Sequence, residues 1–82
     1  MNIDILKALA DPSRISLLQA LSRCELCACV LPKIVKKTQP TVSSHLKVLR
    51  KAGLVVMRKD GVKRLYSLSV SGKKVLGQIS RW

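Results

Sequence analysis

Apolar residues recur at helical spacing over the first quarter of the chain, with one interruption. The dipeptide Asp11-Pro12 marks it, because aspartate is a good N-cap and proline suits the first position of a helix. We therefore expect one short helix before Asp11 and a second helix from Pro12. Their apolar positions are Ile3, Ile5, Leu6 and Leu9 in the first, and Ile15, Leu17, Leu18 and Leu21 in the second.

Two more helices are predicted further along. The third is expected over roughly residues 27–37, where Pro32 is tolerable only in the first turn. For the fourth, Thr38 is a suitable N-cap and Gly53 a suitable stop. Its inward face has the spacing of Val42, Leu46 and Leu49. The outer face is then polar, basic and free of acids, which favours a recognition surface over an ordinary solvated face of mixed charge.

The pattern changes to strands after the fourth helix. Residues 54–58 and 62–68 are rich in Val, Leu and Tyr and are joined through Asp60-Gly61, a strong hairpin signal. A final helix is expected from about Ser71. One side of it carries Val75, Leu76, Ile79 and Trp82, a face expected to meet a second subunit. The prediction is a mainly α winged helix-turn-helix, with about five helices and a two-stranded wing, forming a single DNA-binding domain over residues 1–82.

Charge indicates the partner. The chain has 16 Lys and Arg residues against 4 Asp and Glu, a formal net charge of +12. This charge indicates a polyanionic binding partner. The basic residues concentrate in residues 33–64, where Asp60 is the single acid. Charge alone does not separate DNA from RNA, but readers of single-stranded RNA rely on aromatic stacking. With no Phe, one Tyr and one Trp, the chain favours double-stranded DNA.

Size and composition bound the remaining classes. A chain of 82 residues supports one small core, so we expect reinforcement as a homodimer. It has neither a run of roughly 20 apolar residues nor a signal-like N-terminus, so we expect a cytoplasmic protein without a membrane partner. An enzyme, such as a small thiol oxidoreductase, is the main rival. It is disfavoured because no paired carboxylates, phosphate-binding glycine loop or base near the cysteines is found.

Three cysteines, Cys24, Cys27 and Cys29, form what we call the cysteine cluster. In the cytoplasm they are expected to be reduced thiols, and thiolates bind soft ions such as arsenite, antimonite, cadmium, lead or copper(I). Three sulfurs without a nearby fourth ligand best match As(III) or Sb(III), since zinc requires four ligands. On a helix, Cys27 and Cys29 would point roughly 200° apart, so sharing one ion would distort the start of the third helix. A redox switch, or a vestigial pair, remains the alternative.

Three stretches resemble the arsenical-resistance (ArsR/SmtB) repressors: residues 8–14, reading Ala-Leu-Ala-Asp-Pro-Ser-Arg, residues 25–29, reading Glu-Leu-Cys-Ala-Cys, and residues 38–54. The second is similar to the metal-binding box of the thiolate-using members. The resemblance implies a homodimer built from the first and last helices. It also implies repression at an imperfect inverted repeat until an inducer arrives.

Two sets of site residues follow, with no catalytic residue and no required cofactor. The metal ligands are Cys24, Cys27 and Cys29, with a thiophilic ion as inducer. His45, the one histidine, is interpreted as a DNA contact in preference to a metal ligand. The predicted contacts to base edges or phosphates are Gln39, Thr41, Ser43, Ser44 and His45, and the predicted phosphate anchors are Lys47, Arg50, Arg58, Lys59, Lys63 and Arg64.

Overall fold

A computed structural model describes residues 3–79 of the chain. Over these residues it contains five helices and three strands. In chain order they are α1 (Ile3–Leu9), α2 (Pro12–Leu21), β1 (Leu26–Cys27), α3 (Leu31–Val35), α4 (Gln39–Lys51), β2 (Val55–Asp60), β3 (Lys63–Leu68) and α5 (Val70–Ile79). The predicted winged helix-turn-helix fold is confirmed.

The helix boundaries follow from capping groups. Asp11 is the N-cap of α2, where its Oδ1 accepts a hydrogen bond from Ser13 N at 2.8 Å. Thr38 is the N-cap of α4, and its Oγ1 accepts from Thr41 N at 3.4 Å. Beyond α4, Gly53 takes a φ of 77°, a left-handed conformation that glycine adopts at low cost. These three predictions are confirmed.

The third helix is shorter than predicted. It covers Leu31–Val35 instead of residues 27–37, with Pro32 in its first turn and Lys36 in a left-handed C-cap at φ 56°. The prediction was wrong at Cys27 because this residue pairs with the sheet. In β1, Leu26 lies opposite Tyr66 and Cys27 opposite Leu65, so backbone groups on the edge of β3 are satisfied.

The wing therefore has a third strand. The sheet order is β1-β3-β2, with both neighbouring pairs antiparallel. Asp60 pairs with Lys63, which leaves Gly61 and Val62 as a two-residue turn. Gly61 has a φ of 63°, as a tight hairpin turn requires at its first central position. The predicted hairpin is confirmed, and the prediction of two strands is corrected to three.

One core joins the helices to the sheet. Its buried members are Ala8, Leu17, Leu18, Leu21, Leu31, Val42, Leu46, Leu49, Leu54, Val55, Tyr66, Leu68, Val75 and Leu76. Val75 and Leu76 belong to this core, so the prediction that they face a second subunit was wrong. The side chain of Ile79, and Trp82, lie outside the described residues. The exposed apolar side chains of α1 are instead Ile3 and Leu6. Between residues 3 and 79, no helix has the length and apolar character needed to cross a membrane.

Candidate nucleic-acid interface and cysteine pair

Helix α4 separates a buried face from a polar outer face. Val42, Leu46 and Leu49 anchor the inner face in the core. Five of the predicted DNA contacts are exposed on the outside: Gln39, Ser43, Ser44, Lys47 and Arg50. No acidic residue lies on α4, so nothing on the helix neutralises Lys47 and Arg50. This face is complementary to the acceptors and negative charge of a DNA groove.

Two predicted contacts on α4, Thr41 and His45, are partly buried and bonded within the protein. Thr41 is half-buried and its hydroxyl accepts a hydrogen bond from the Thr38 hydroxyl at 2.9 Å. The side chain of His45 is only 13% exposed. Its Nδ1 accepts from Arg14 Nε at 3.2 Å, and its Nε2 lies 3.9 Å from Asp11 Oδ2. The reason lies in the helical period, since His45 is three residues after Val42 and four before Leu49. This spacing is visible in the sequence and indicates that His45 lies beside the buried face of α4.

The wing presents a second basic surface. Lys59, Lys63 and Arg64 are exposed around the hairpin, and Lys59 lies opposite Arg64. Arg58 differs, because its Nε and Nη2 donate to Glu25 Oε2 and Oε1 at 2.8 and 2.7 Å. These hydrogen bonds lower the pKa of Glu25 and raise that of Arg58. Arg58 therefore ties β2 to the segment that carries the cysteines.

The structure brings together two of the three cysteines. Cys27 ends β1 and Cys29 lies in the turn that follows; their Cα atoms are 5.2 Å apart and their sulfurs form a disulfide. Cys29 N also donates to Cys27 Sγ at 3.3 Å. A helical position was predicted for both residues, and that prediction was wrong. Their reduction to thiols in the cytoplasm stays a prediction. Since neither residue is helical, the two sulfurs meet without any distortion of a helix.

Cys24 lies apart from this pair. It is an exposed free cysteine, and across residues 3–79 no group of three Cys, His, Asp or Glu side chains is placed to hold a metal ion. The predicted three-sulfur site is thus not assembled. Cys24 instead lines a groove of about 560 Å³ between α2 and α3, whose other lining residues are Ser16, Gln19, Ala20, Arg23, Leu26, Ile34 and Val35.

The cysteine pair adjoins both parts of the candidate interface. A cavity of about 350 Å³ is lined by Cys27, Ala28, Cys29, Gln39, Val62, Lys63 and Arg64. Gln39 is the first residue of α4, and Lys63 and Arg64 open β3. Ala28 N donates to the Arg64 carbonyl at 2.9 Å. The turn with the two sulfurs is therefore fixed directly to the wing.

Known proteins are similar to this chain in sequence and in fold. The family model for bacterial regulatory proteins of the arsR family matches residues 11–56. The arsenical resistance operon repressor of Staphylococcus xylosus is 49% identical over 65 residues, which cover 79% of this chain and 62% of that protein. The transcriptional repressor SmtB homolog of Synechocystis sp. is 44% identical over 66 residues, covering 80% and 50%. The chain thus matches between half and about three fifths of these relatives' lengths.

A solved structure agrees with the sequence relatives. NolR from Sinorhizobium fredii superposes with a TM-score of 0.87 at 35% identity, covering 96% of this chain and 80% of that one. The matching region contains the capped α2, the exposed face of α4 and the wing. The chain belongs to the arsR family of bacterial regulatory proteins.

Proposed function

We propose that this chain is a cytoplasmic, non-enzymatic transcriptional repressor that binds an inverted-repeat operator as a homodimer. It is released when a thiophilic ion, in the first place As(III) or Sb(III), binds Cys27 and Cys29. The observation that carries the proposal is that these two sulfurs meet in a turn hydrogen-bonded to the wing and beside the first residue of α4.

The DNA-binding half of the proposal is supported by the two basic surfaces. The outer face of α4 enters the major groove, and the wing cations meet phosphates beside it. A two-fold dimer places two such helices about one turn of DNA apart, which matches an inverted repeat. In the family this dimer joins the first and last helices, and α1 exposes Ile3 and Leu6, with exposed fractions of 66% and 54%.

The ion-binding half is supported by the donors present. Two adjacent sulfurs, once reduced, offer a soft chelating pair that suits As(III), Sb(III), cadmium, lead or copper(I). The Staphylococcus xylosus relative is named for arsenical resistance, which favours the metalloids. Cys24 lines a separate groove, so we propose Cys27 and Cys29 as the principal ligands and Cys24 as dispensable.

Coupling to DNA follows from the position of the turn. An ion bound by Cys27 and Cys29 holds the two sulfurs further apart than a disulfide does, so we infer that the backbone of residues 27–29 adjusts. Ala28, in the middle of this turn, is bonded to Arg64 of the wing. Movement of this turn shifts wing cations away from the positions that suit phosphates. A coupling free energy of about 1 to 3 kcal/mol is enough to make such release measurable.

A second candidate signal is oxidation, and the disulfide between Cys27 and Cys29 favours it. In that case formation of the disulfide, with transfer of two electrons to an oxidant and loss of two protons, would alter the same turn. The site and its link to the wing are common to both candidates. They differ in the reagent that changes DNA affinity.

The test is fluorescence anisotropy of labelled DNA from upstream of the gene, titrated with protein at fixed salt because phosphate contacts make affinity salt-dependent. The protein is reduced with a phosphine, since a dithiol reductant would itself chelate arsenite. Arsenite is then added to the wild type, to Cys27→Ser/Cys29→Ser and to Cys24→Ser as the matched control. We expect release from the wild type and Cys24→Ser, and retention by the double variant.

The outcomes separate the candidates. Release by a thiol oxidant, reversed by the phosphine, with no response to arsenite would favour the redox signal. Release by arsenite from Cys24→Ser but not from the double variant would favour the ion signal. If the reduced wild type bound its upstream DNA no better than unrelated DNA, the repressor function would be wrong.

A further inference from the structure

Three helices meet at one polar junction. Arg14 lies in the first turn of α2, and its Nη1 donates to the carbonyl oxygen of Lys7, in the last turn of α1, at 2.9 Å. Its Nε donates to Nδ1 of His45 in α4 at 3.2 Å. The guanidinium therefore bonds one end of α1 and the middle of α4 at the same time.

The other side of the imidazole completes the junction. His45 Nε2 lies 3.9 Å from Asp11 Oδ2, while Asp11 Oδ1 caps α2 through Ser13 N. The pKa of Asp11 is lowered by the Ser13 backbone hydrogen bond and, to a smaller extent, by His45 and Arg14. The carboxylate is therefore held ionised beside the ring. Because Nδ1 accepts a hydrogen bond, the proton of the neutral ring lies on Nε2 and points to this carboxylate.

We propose that Arg14 and His45 are positioning residues for DNA recognition, which fix the rotation of α4 against α1 and α2 without contacting DNA themselves. This inference rests on the proposed reading of DNA by α4. His45 lies within two residues of Ser43, Ser44 and Lys47, and all three of these side chains are exposed. A helix free to rotate about its axis would carry these side chains away from the base edges. Apolar contacts at Val42, Leu46 and Leu49 are non-directional, whereas the Arg14 bond has a direction.

The test compares affinity for the upstream DNA with affinity for unrelated DNA of equal length. Loss of a charge weakens both affinities together, so their ratio isolates positioning. Arg14→Met removes the donors and keeps an unbranched side chain, and Arg23→Met removes one charge from the exposed segment just after α2 as the matched control. His45→Phe removes the acceptor and keeps a ring, whereas His45→Asn keeps an acceptor near the position of Nδ1.

We expect Arg14→Met and His45→Phe each to lower the ratio about tenfold, comparable with the loss of one good base contact. Arg23→Met and His45→Asn should stay within about twofold of the wild type. The double variant Arg14→Met/His45→Phe should lose no more than either single variant, because both break the same bond.

Other results would overturn the proposal. Equal losses in His45→Phe and His45→Asn would mean that the imidazole reads DNA directly. A double variant that loses the product of the single effects would mean that the two residues act independently. An unchanged ratio together with a lowered melting temperature would leave the junction a purely structural role.

A spectroscopic measurement tests the bond without DNA. His45 is the only histidine, so its ring nitrogen signals are assigned without ambiguity. In the free wild type at mildly alkaline pH we expect the tautomer with the proton on Nε2, and an Nδ1 signal shifted by the hydrogen bond from Arg14 that loses this shift in Arg14→Met. A wild-type ring with its proton on Nδ1 would overturn the proposal. A wild type with no preference for its upstream DNA would overturn both the repressor function and the positioning role, while the tautomer would still show whether the bond forms.

Discussion

Helix α5 passes Leu54, in the segment between α4 and β2, at Gly72, where the two backbones leave no room for a side chain. A Cβ at Gly72 would collide with the carbonyl oxygen of Leu54 and lie 3.0 Å from its carbonyl carbon. That oxygen accepts a hydrogen bond from Ser69 N at 3.0 Å. The Ser69 hydroxyl donates to the Gly53 carbonyl at 2.6 Å and accepts from Gly72 N at 3.0 Å. With Leu54 fully buried, the carbonyl is fixed on every side and α5 itself must move.

We therefore predict that Gly72→Ala strongly destabilises the protein. Overpacking in a core costs about 1 to 3 kcal/mol. A displaced α5 also loses a hydrogen bond worth about 1 kcal/mol. The higher helix propensity of alanine offsets this loss, because it is worth about 1 kcal/mol relative to glycine. Because the obstacle is backbone, we expect the upper end, about 3 kcal/mol, which lowers the melting temperature by roughly 12 to 24 °C for a domain of this size.

The measurement is thermal and urea unfolding followed by far-ultraviolet circular dichroism at one fixed protein concentration. Gly77→Ala in the same helix is the matched control, since a Cβ there meets nothing within 4 Å. It should gain up to about 1 kcal/mol from helix propensity. If Gly72→Ala melted within about 2 °C of the wild type, or if both variants lost the same stability, the close backbone approach would be refuted.

Other substitutions test the caps and the charged pairs. Thr38→Ala removes the N-cap of α4 and should lower the free energy of unfolding in urea by about 1 kcal/mol. An unchanged unfolding midpoint would show that the cap does not stabilise α4. Lys36→Gly relieves a left-handed φ and should stabilise the protein by roughly 1 kcal/mol, whereas Lys36→Ala should not. The pKa values of Asp11 and Glu25 are lowered in the folded state from 3.8 and 4.5, respectively. Each carboxylate therefore stabilises the folded protein above its ordinary pKa, and this contribution is lost as the pH falls through the lower folded value. Urea titrations across this window should show a smaller acid loss in Glu25→Gln, and an identical loss would contradict the pairing with Arg58.

Local signals in the sequence were sufficient for most of the fold. The Asp11 and Thr38 caps, the spacing of Val42 and Leu46, and the hairpin at Gly61 depend on residues a few positions apart. Each can therefore be predicted without knowledge of the tertiary structure. The wing and the exposed face of α4 follow from them.

Contacts between distant residues were not predictable in the same way. Strand β1 has two residues, too few to show a period, so the helical spacing of Leu31, Ile34 and Val35 was extended backward over Cys27. The bonds from Arg14 to His45 and from Arg58 to Glu25 span 31 and 33 residues. No spacing rule indicates them, since the partners meet only when the helices and the sheet have packed. The separation of Cys24 from Cys27 has the same origin.

The short strand β1 has a consequence for solubility. It covers the edge of β3 that β2 leaves open, pairing at Leu26 and Cys27 and through Ala28 N to Arg64. An uncovered edge offers free N–H and C=O groups to any other extended chain. A ligand that drew the cysteine turn off the sheet would therefore also expose this edge to strand-to-strand aggregation, so the residues proposed to receive a signal also protect the edge of the wing.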